Sequence, residues 1–305
     1  MPSTTSSDKA PTALLLLTGS TDSLLAGKLL QNQGIALQAC NWQFPFSRSD
    51  SHAVSAAQQL QIPLRIERPG QDYLDEVVSA PRFGRKQGMA PCFDCRLWLY
   101  RSAAKLLEEL GISFLVTGEV AGQRIGTQRK QDLEILEFHS GLHQKVVRPL
   151  SGQLLPPTSP EETGILCRTG FHRFYGSSRS PQQRLAKQLG LAVDYANTYA
   201  SQCRLTDSPT SDRVKELLQI QRPLTPLIAG ILQLGRHFQS PQGTRVVVTR
   251  NQEEHLAIEG LMSRFPSEQA ILQPHPLQKG PSIFIEDRRD PTAISLCETL
   301  RAKFS

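Results

Sequence analysis

The sequence predicts an α/β protein: a doubly wound parallel sheet with a second, smaller α/β domain. Two observations lead to this prediction. Short apolar segments alternate with segments of helical periodicity between residues 13 and 117, which is typical of a parallel sheet. A second series of strands and helices begins near residue 244, after a stretch with several prolines. A chain of 305 residues can bury one sizeable core and a smaller one.

The first strand and helix enclose a loop of small polar residues. Four consecutive leucines in the run from Ala13 to Leu17 fit a strand buried on both faces. Leucines recur at helical spacing from Ser23 onward, so the loop lies at a helix N-terminus, where unpaired N–H groups and the helix dipole bind an anion. Asp22 adds a carboxylate suited to Mg²⁺. An ordinary βα turn with a polar cap is the alternative.

The following segments repeat the strand and helix alternation. Strands are predicted at 35–40, 62–66 and 112–117, and helices at 51–60 and from Cys92 to a stop at Gly111. The loop 41–51 leaves the carboxyl edge of its strand, where ligands bind in such sheets. Residues 1–11 are predicted to be a disordered tail. Prolines interrupt short helical pieces over 208–242, which indicates a connector.

Composition narrows the class of protein. With 39% hydrophobic and 20% charged residues, the chain has an ordinary globular balance. Its only early apolar run is five residues long and follows a polar tail, so we expect no signal peptide, no membrane span and a cytoplasmic location. The net charge is +6, and basic residues cluster between 82 and 105, where Asp94 is the only acidic residue. A polyanionic partner is therefore plausible.

The loop Thr18 to Ser23, T-G-S-T-D-S, resembles the S-G-G-x-D-S signature of the PP-loop ATP pyrophosphatases. Four later motifs resemble one branch of that family, the bacterial tRNA thiouridylases and thiouridine synthase-like proteins. They are Cys92-Phe93-Asp94-Cys95, the T-G-E-x-x-G-Q-R stretch from Thr117 to Arg124, Arg148-Pro149-Leu150 with Leu154 to Thr158, and Cys203 to Asp207. Ser20 departs from the signature, since it stands at the second glycine.

This resemblance implies a PP-loop, adenine nucleotide alpha hydrolase-like ATP-binding domain over residues 12–207. ATP and Mg²⁺ would be the cofactors and tRNA the partner; a uridine carbonyl oxygen would be adenylated and replaced by sulfur from sulfide or a persulfide carrier. The implied nucleotide contacts are Thr18, Gly19, Ser20, Thr21, Asp22, Ser23, Thr117, Gly118 and Glu119. The implied catalytic residues are Asp22, Cys92, Cys95 and Cys203. The loop 41–51 would lie against the adenosine, although Trp42 and Phe44 could equally be core residues.

Six cysteines, two of them in a C-x-x-C, suit metal or redox chemistry in a reducing compartment. Cys92 and Cys95 can bind one metal or exchange as a dithiol. The resemblance places a third ligand at Cys203, and three thiolates on a [4Fe–4S] cluster would leave one iron open for sulfide. A zinc site completed by His139, His143 or His172 and a metal-free dithiol are the alternatives. Cys40 and Cys297 fall in apolar patterns and are predicted core residues.

A basic stretch without acidic residues runs from residue 163 to residue 193. It contains Arg168, Arg173, Arg179, Arg184 and Lys187 together with Phe171, His172, Phe174 and Tyr175. Cations neutralise phosphates and aromatic rings stack on unpaired bases, so the stretch can form an RNA-binding face. The alternative is a solvated basic helix, 180–189, that packs on the domain through Leu185 and Leu189.

Residues 243–305 are predicted to form the smaller domain, whose V-x-R-N-x-x-E stretch resembles the RNA-linked NFACT-R domain. A stabilising appendage or a surface for a homodimer is the alternative. Two other functions compete with tRNA thiolation. A degenerate PP-loop protein would bind nucleotide or RNA without catalysis, and an amidating enzyme would leave the cysteines without a role.

Overall fold

The computed structural model describes residues 10–47, 51–193, 203–274 and 280–304. The chain divides into two compact units, Met1–Cys203 and Arg204–Ser305. Residues 1–9 of the predicted tail lie outside the described residues. No helix in the described ranges is long and apolar enough to cross a membrane.

The first unit is built on a five-stranded parallel sheet, which confirms the predicted fold class. Its strands are β1 (Thr12–Leu16), β2 (Ala36–Trp42), β3 (Leu64–Glu67), β4 (Leu115–Val116) and β5 (Val146–Val147). Their spatial order is β3-β2-β1-β4-β5, and every neighbouring pair is parallel. The chain order reverses between β1 and β4, so the carboxyl edge there is where such sheets bind ligands.

Helices cover both faces of this sheet. They are α1 (Thr21–Gln31), α2 (Ser51–Leu60), α3 (Gln71–Tyr73, continued by a π-helical turn at Leu74–Ser79), α4 (Cys92–Leu110), α5 (Lys130–Ser140), α6 (Ser159–Glu162) and α7 (Ser180–Gln188). Leu15 and Leu17 pack in the core under α1, α2 and α7, whereas Leu14 and Leu16 pack under α4 and α5. The leucine run is therefore buried on both faces, because alternate side chains of a strand point to opposite sides.

The second unit contains a four-stranded antiparallel sheet of order β6-β7-β9-β8. Its elements are α8 (Ser208–Gln219), α9 (Pro226–Ile231), β6 (Arg236–Gln239), β7 (Arg245–Val248), α10 (Gln252–Arg264), β8 (Ile271–Gln273), β9 (Ile283–Ile285) and α11 (Pro291–Phe304). Val247 packs with α9 and α10, whereas Val246 and Val248 pack with α11. The central strands are consequently buried on both sides.

The structure corrects the expected connector at 208–242. Most of that segment is α8, α9 and β6, and β6 is an edge strand of the second sheet. The prolines misled the prediction because Pro209 and Pro226 occupy the first turns of α8 and α9. A proline there removes no helical hydrogen bond and presets the backbone angle, so it starts a helix instead of breaking one.

Candidate functional site

The polar loop after β1 has the predicted strand, loop and helix geometry. Ser20 is the N-cap of α1, and its hydroxyl accepts a hydrogen bond from the Ser23 N–H at 3.3 Å. The Thr18 hydroxyl lies 3.0 Å from the Ser20 hydroxyl, and the Ser23 hydroxyl donates to the Ser20 carbonyl at 3.0 Å. Ser20, which stands where the signature has glycine, therefore organises the loop as a helix cap. The three hydroxyls gather at the N-terminus of α1, where an anion is favoured.

Two glycines allow other segments to approach this loop closely. Gly19 has a positive φ of 78°, and a Cβ there would lie 2.3 Å from the backbone carbon of His52 at the start of α2. A Cβ on Gly118 would lie 2.4 Å from both the carbonyl carbon of Asp22 and the amide nitrogen of Ser23. The triplet Thr117-Gly118-Glu119 after β4 thus lies directly against the first turn of α1. This contact was expected, because β1 and β4 end at the same edge of the sheet.

Asp22 is nearly buried beside this loop, with 6% of the residue exposed. Its Oδ2 accepts a hydrogen bond from Gln123 Nε2 at 3.1 Å and forms an ion pair with Arg179. Asp22 Oδ1 and the Thr21 hydroxyl have no hydrogen-bond partner among the described residues. A recess at this point is lined by Ser20, Thr21, Asp22, Arg179, Gln182 and Gln183. An unsatisfied buried carboxylate oxygen and hydroxyl facing a recess fit a hard cation such as Mg²⁺.

Glu119 is buried, and its hydrogen bonds among the described residues go to Oε2, whereas Oε1 has an ion pair with Arg96 but no hydrogen bond. Its Oε2 accepts hydrogen bonds from Tyr100, from Thr117 at 3.2 Å and from Arg148 Nε at 2.9 Å. Arg96 Nη1 lies 2.9 Å from its Oε1. Burial alone would raise the pKa of Glu119, but Arg96 and Arg148 outweigh that effect and lower it. The Glu119 carboxylate therefore links Arg96 of α4 and Arg148, which follows β5, to the segment after β4. This arrangement favours a positioning role for Glu119 over the expected direct contact with the nucleotide.

The C-x-x-C pair occupies the first turn of α4, next to an aromatic cluster. The Tyr73 hydroxyl donates to Cys95 Sγ at 3.3 Å, and the Tyr73 ring packs against Phe44 at 5.0 Å and Trp98 at 5.3 Å. Burial raises the pKa of Cys95 to about 11, although the Tyr73 hydrogen bond and Arg96 oppose the shift. Phe44 is thus part of this cluster.

Cys203 comes to the same place from the far end of the unit. It forms an antiparallel bridge with Ser47, whose hydroxyl donates to the Phe44 carbonyl at 2.8 Å. Burial raises the pKa of Tyr73, and the thiols of Cys95, Cys203 and Cys92 raise it further. All three cysteines predicted to act together therefore lie within electrostatic reach of one phenol.

The described residues contain no group of three or more His, Cys, Asp or Glu side chains positioned to hold a metal ion. The expected zinc alternatives are not gathered at the thiols: His139 and His143 are exposed, and His172 stacks on Phe174 at 4.8 Å. Cys40 and Cys297 are buried, as predicted. Cys167 is exposed.

The charge of Arg124 interacts with groups at both the polar loop and the cysteine pair. Burial lowers the pKa of its guanidinium, and the like charges of Arg96 and Arg179 lower it further, while Cys92 and Asp22 oppose the shift. Arg124 is therefore within electrostatic reach of both Asp22 and Cys92. Sequence reasoning assigned no role to Arg124, Gln123 or Tyr73, although Gln123 and Arg124 end the T-G-E-x-x-G-Q-R stretch and could have been found there.

The basic stretch has features of both predicted alternatives. Leu185 and Ala186 of α7 are buried in the core with α1, as expected for a packed helix. Arg173, Arg184 and Lys187 are exposed. Tyr175 is 66% exposed, whereas Phe171 is buried. Arg179 differs from the other cations, because it turns toward Asp22.

Fold and site together define a class of protein: an α/β protein with a five-stranded parallel sheet, a polar loop at the N-terminus of α1 and a C-x-x-C pair in the first turn of α4. No family model and no curated protein matches the chain. The resemblance of the second unit to NFACT-R domains has no support from these comparisons.

Three solved structures are similar to parts of the chain. A 4-thiouridine synthetase complexed with RNA and bound ATP is 22% identical, with a TM-score of 0.40, over 73% of this chain and 53% of that chain. The U34-tRNA thiolase NcsA from Methanococcus maripaludis, with its [4Fe–4S] cluster, is 16% identical, with a TM-score of 0.36, over 70% of this chain and 68% of that one. A predicted subunit of a tRNA methyltransferase from Methanocaldococcus jannaschii is 12% identical, with a TM-score of 0.36, over 60% of this chain and 89% of that one.

The chain spans about half the length of the 4-thiouridine synthetase. Similarity at this level leaves the function to be argued from the residues of the site.

Proposed function

We propose that this protein is an ATP-dependent tRNA thiolase of the PP-loop type, which adenylates a uridine carbonyl oxygen and replaces it with sulfur. The observation that carries the proposal is the link between the C-x-x-C helix and the polar loop. Arg96, the residue after Cys95, pairs with Glu119 at 2.9 Å, and the adjacent Gly118 lies directly against Asp22 and Ser23. A phosphate loop needs no thiols if the protein only binds nucleotide, and an amidating enzyme has no use for them. Thiols next to the loop favour sulfur transfer to a group activated by ATP.

The loop would hold the β- and γ-phosphates of ATP at the N-terminus of α1, through backbone N–H groups and the Thr18, Ser20 and Ser23 hydroxyls. Asp22 Oδ1 and the Thr21 hydroxyl, which have no partner among the described residues, would face Mg²⁺ and its bound phosphates. Gly118 sets the distance between this loop and the β4 edge. Thr117 and Glu119 would hold the triplet in place from behind.

The reaction would proceed in two displacements at this edge. A uridine carbonyl oxygen attacks the α-phosphorus, its new O–P bond forms, and the bond to pyrophosphate breaks. Hydrosulfide then attacks the activated ring carbon, AMP leaves with the former carbonyl oxygen, and the sulfur-bound proton moves to the ring nitrogen that lost its proton on adenylation, which gives C=S. With a persulfide carrier, the terminal sulfur would attack instead, and a second thiol would have to cleave the S–S bond and form a disulfide with the carrier. The guanidinium of Arg124 would stabilise the negative charge that develops near the phosphates.

Cys92, Cys95 and Cys203 are the candidate ligands of an iron–sulfur cluster. All three raise the pKa of Tyr73, but no three side chains of the described residues are positioned to hold a metal ion, so cluster binding would have to draw the thiols together. The histidines of the zinc alternative do not join them, because His139 and His143 are exposed and His172 stacks on Phe174. Burial raises the pKa of Cys95 to about 11 despite the opposing charge of Arg96, so the bound iron itself would have to displace the proton from this thiol. A [4Fe–4S] cluster held by three thiolates would supply an open iron for sulfide.

Asp22→Ala tests the nucleotide half of the proposal. Pyrophosphate release in the presence of ATP, Mg²⁺ and bulk tRNA should fall by about 100-fold or more, since the variant lacks the carboxylate that faces the cation. The matched control is Asp72→Ala, which removes an exposed carboxylate in the same unit. Release at the wild-type rate from a folded Asp22→Ala variant would contradict the phosphate-loop assignment.

One observation favours a non-catalytic nucleotide-binding protein as the second candidate: Arg179 already neutralises Asp22. In that case wild-type protein would bind ATP in an equilibrium measurement and would release no pyrophosphate with any tRNA fraction. Pyrophosphate release dependent on tRNA excludes this candidate.

A further inference from the structure

We infer that Arg179 is a further catalytic residue, which neutralises Asp22 in the nucleotide-free protein and moves to the leaving pyrophosphate when ATP and Mg²⁺ bind. This inference rests on the proposed function, because it assigns a role within the same nucleotide site.

The ion pair joins two side chains that differ in exposure. The Asp22 side chain is 9% exposed and the Arg179 side chain 30% exposed. A buried carboxylate without a counter-charge is costly, so Asp22 requires a cation at all times. Arg179 supplies one, yet it occupies only Oδ2 together with Gln123, and Oδ1 still has no partner among the described residues. The pair therefore leaves half of the carboxylate open to a second cation.

The backbone that carries Arg179 is held in place while its side chain can turn. Arg179 directly precedes α7, and α7 packs on α1 through Leu185 and Ala186. Arg179 lines the recess at the loop. The same recess is lined by Gln182 and Gln183 of α7 and by Ser20 and Thr21 at the N-terminus of α1. A rotation of the Arg179 side chain about its own bonds thus keeps the guanidinium next to the phosphate loop.

Binding of ATP with Mg²⁺ reverses the local charge balance. The divalent cation satisfies Asp22 and repels the guanidinium, whereas the polyphosphate attracts it. Arg96 and Arg179 both lie within electrostatic reach of Arg124, and an anion would relieve this repulsion. A planar guanidinium that meets the leaving pyrophosphate stabilises its charge in the transition state.

The inference predicts effects of opposite sign for Arg179→Ala. The affinity of the nucleotide-free protein for Mg²⁺ should rise several-fold, because the cation no longer competes with the guanidinium for Asp22. The single-turnover rate of pyrophosphate release with tRNA should fall by about 100-fold, since the leaving group has lost a stabilising charge. Arg179→Lys should restore part of the rate, because it keeps the charge without the planar fork.

The experiment measures Mg²⁺ binding by calorimetry and pyrophosphate release by rapid quench in the full-length wild type, Arg179→Ala, Arg179→Lys and Arg65→Ala. Arg65 is a control for the loss of an arginine–carboxylate pair, because its pairs with Glu67 and Glu109 are exposed and Glu109 lies at the far end of α4 from Cys92. Its variant should match the wild type in both measurements.

If Arg179→Ala changed neither the affinity for Mg²⁺ nor the rate of pyrophosphate release, the Arg179–Asp22 pair would have no role in the reaction, and the inference would be overturned. A joint loss of metal affinity, rate and thermal stability would show a structural pair and overturn it as well. The proposed function fails separately, if the wild type itself binds no ATP or releases no pyrophosphate. If the wild type is active and Arg179→Ala releases pyrophosphate at the same rate, the inference about Arg179 fails while the proposed function stands.

Discussion

His237 is a largely buried titratable residue of the second unit, held in its neutral form by its contacts. Its Nε2 lies 2.7 Å from the Leu234 carbonyl oxygen and its Nδ1 lies 3.1 Å from Arg245 Nη1. Neutral imidazole satisfies both contacts, with Nε2–H donating and Nδ1 accepting. Burial, followed by the charges of Arg213 and Arg245, lowers the pKa of His237 to about 3.

This pKa makes the second unit sensitive to acid. Because the folded pKa lies below the ordinary value of 6.5, the unfolded chain binds the proton first as the pH falls. Stability is then full above about pH 6.5 and is lost progressively toward pH 3. Between pH 7 and pH 5 the free energy of unfolding should fall by about 2 kcal/mol. Hydrogen exchange of the β7 amides at the two pH values measures this change.

In His237→Gln the loss of stability between pH 7 and pH 5 should be much smaller, because the amide can donate and accept without titrating. His143→Gln is the control, since His143 is exposed and belongs to the first unit. Equal acid sensitivity in the wild type and His237→Gln would assign the effect to other groups.

Helix α7 and the segment before it contribute both to the core of the first unit and to its basic surface. One side of α7 packs on α1, and the other carries cations to solvent. The exposed Tyr175 ring lies against Gly122, where a Cβ would approach the ring to 2.8 Å, and Gly122 directly precedes Gln123, the partner of Asp22. Aromatic rings stack on unpaired bases and cations neutralise phosphates, so we predict that this surface binds unpaired RNA.

Simultaneous replacement of Arg173, Arg184 and Lys187 by alanine should weaken tRNA binding and reduce its salt dependence. Loss of three phosphate contacts to unpaired RNA lowers the slope of log affinity against log salt concentration by about 2. Filter binding over a salt series measures the slope. The control triple is Arg65, Arg101 and Lys105 to alanine, which removes the same charge from exposed positions. Arg179 stays unchanged, because its pair with Asp22 would confound the result. Identical slopes in the two triple variants would support the solvated-helix alternative.

At the scale of the whole molecule, the thiol cluster joins the beginning of α4 with the last residue of the first unit. Protein purified and reconstituted without oxygen should be brown and hold about one four-iron cluster per chain. Cys92→Ser, Cys95→Ser and Cys203→Ser should each lose it, because three thiolates are the minimum set.

Cys167→Ser is the control and should keep the cluster, since Cys167 is exposed and makes its contact with Thr169. Iron and zinc are measured together by elemental analysis. Zinc alone would indicate a structural site, and protein without either metal after reconstitution would refute the cluster and favour a dithiol or persulfide route.

Elements with a clear local residue pattern could be predicted from the sequence alone. A short run of leucines between turn residues is typical of a strand buried on both faces, and with the strand and helix alternation it predicted β1 and the fold class. The small polar residues after it fixed the loop and the start of α1. Gly111 at a φ of 64° fixed the end of α4, because a left-handed residue ends a helix.

The tertiary structure decided everything that depends on contacts between distant residues. Strand β5 has two residues and β6 is polar, so both exist through pairing with a neighbour and carry no periodic signal of their own. The ion pairs of Arg179 with Asp22 and of Arg148 with Glu119 form only when the strands and helices of the first unit have packed together. The same holds for the approach of Cys203 to Tyr73. A charged side chain has the same local pattern whether it faces solvent or a buried partner, because its partner is set by packing and burial, which the chain acquires only on folding.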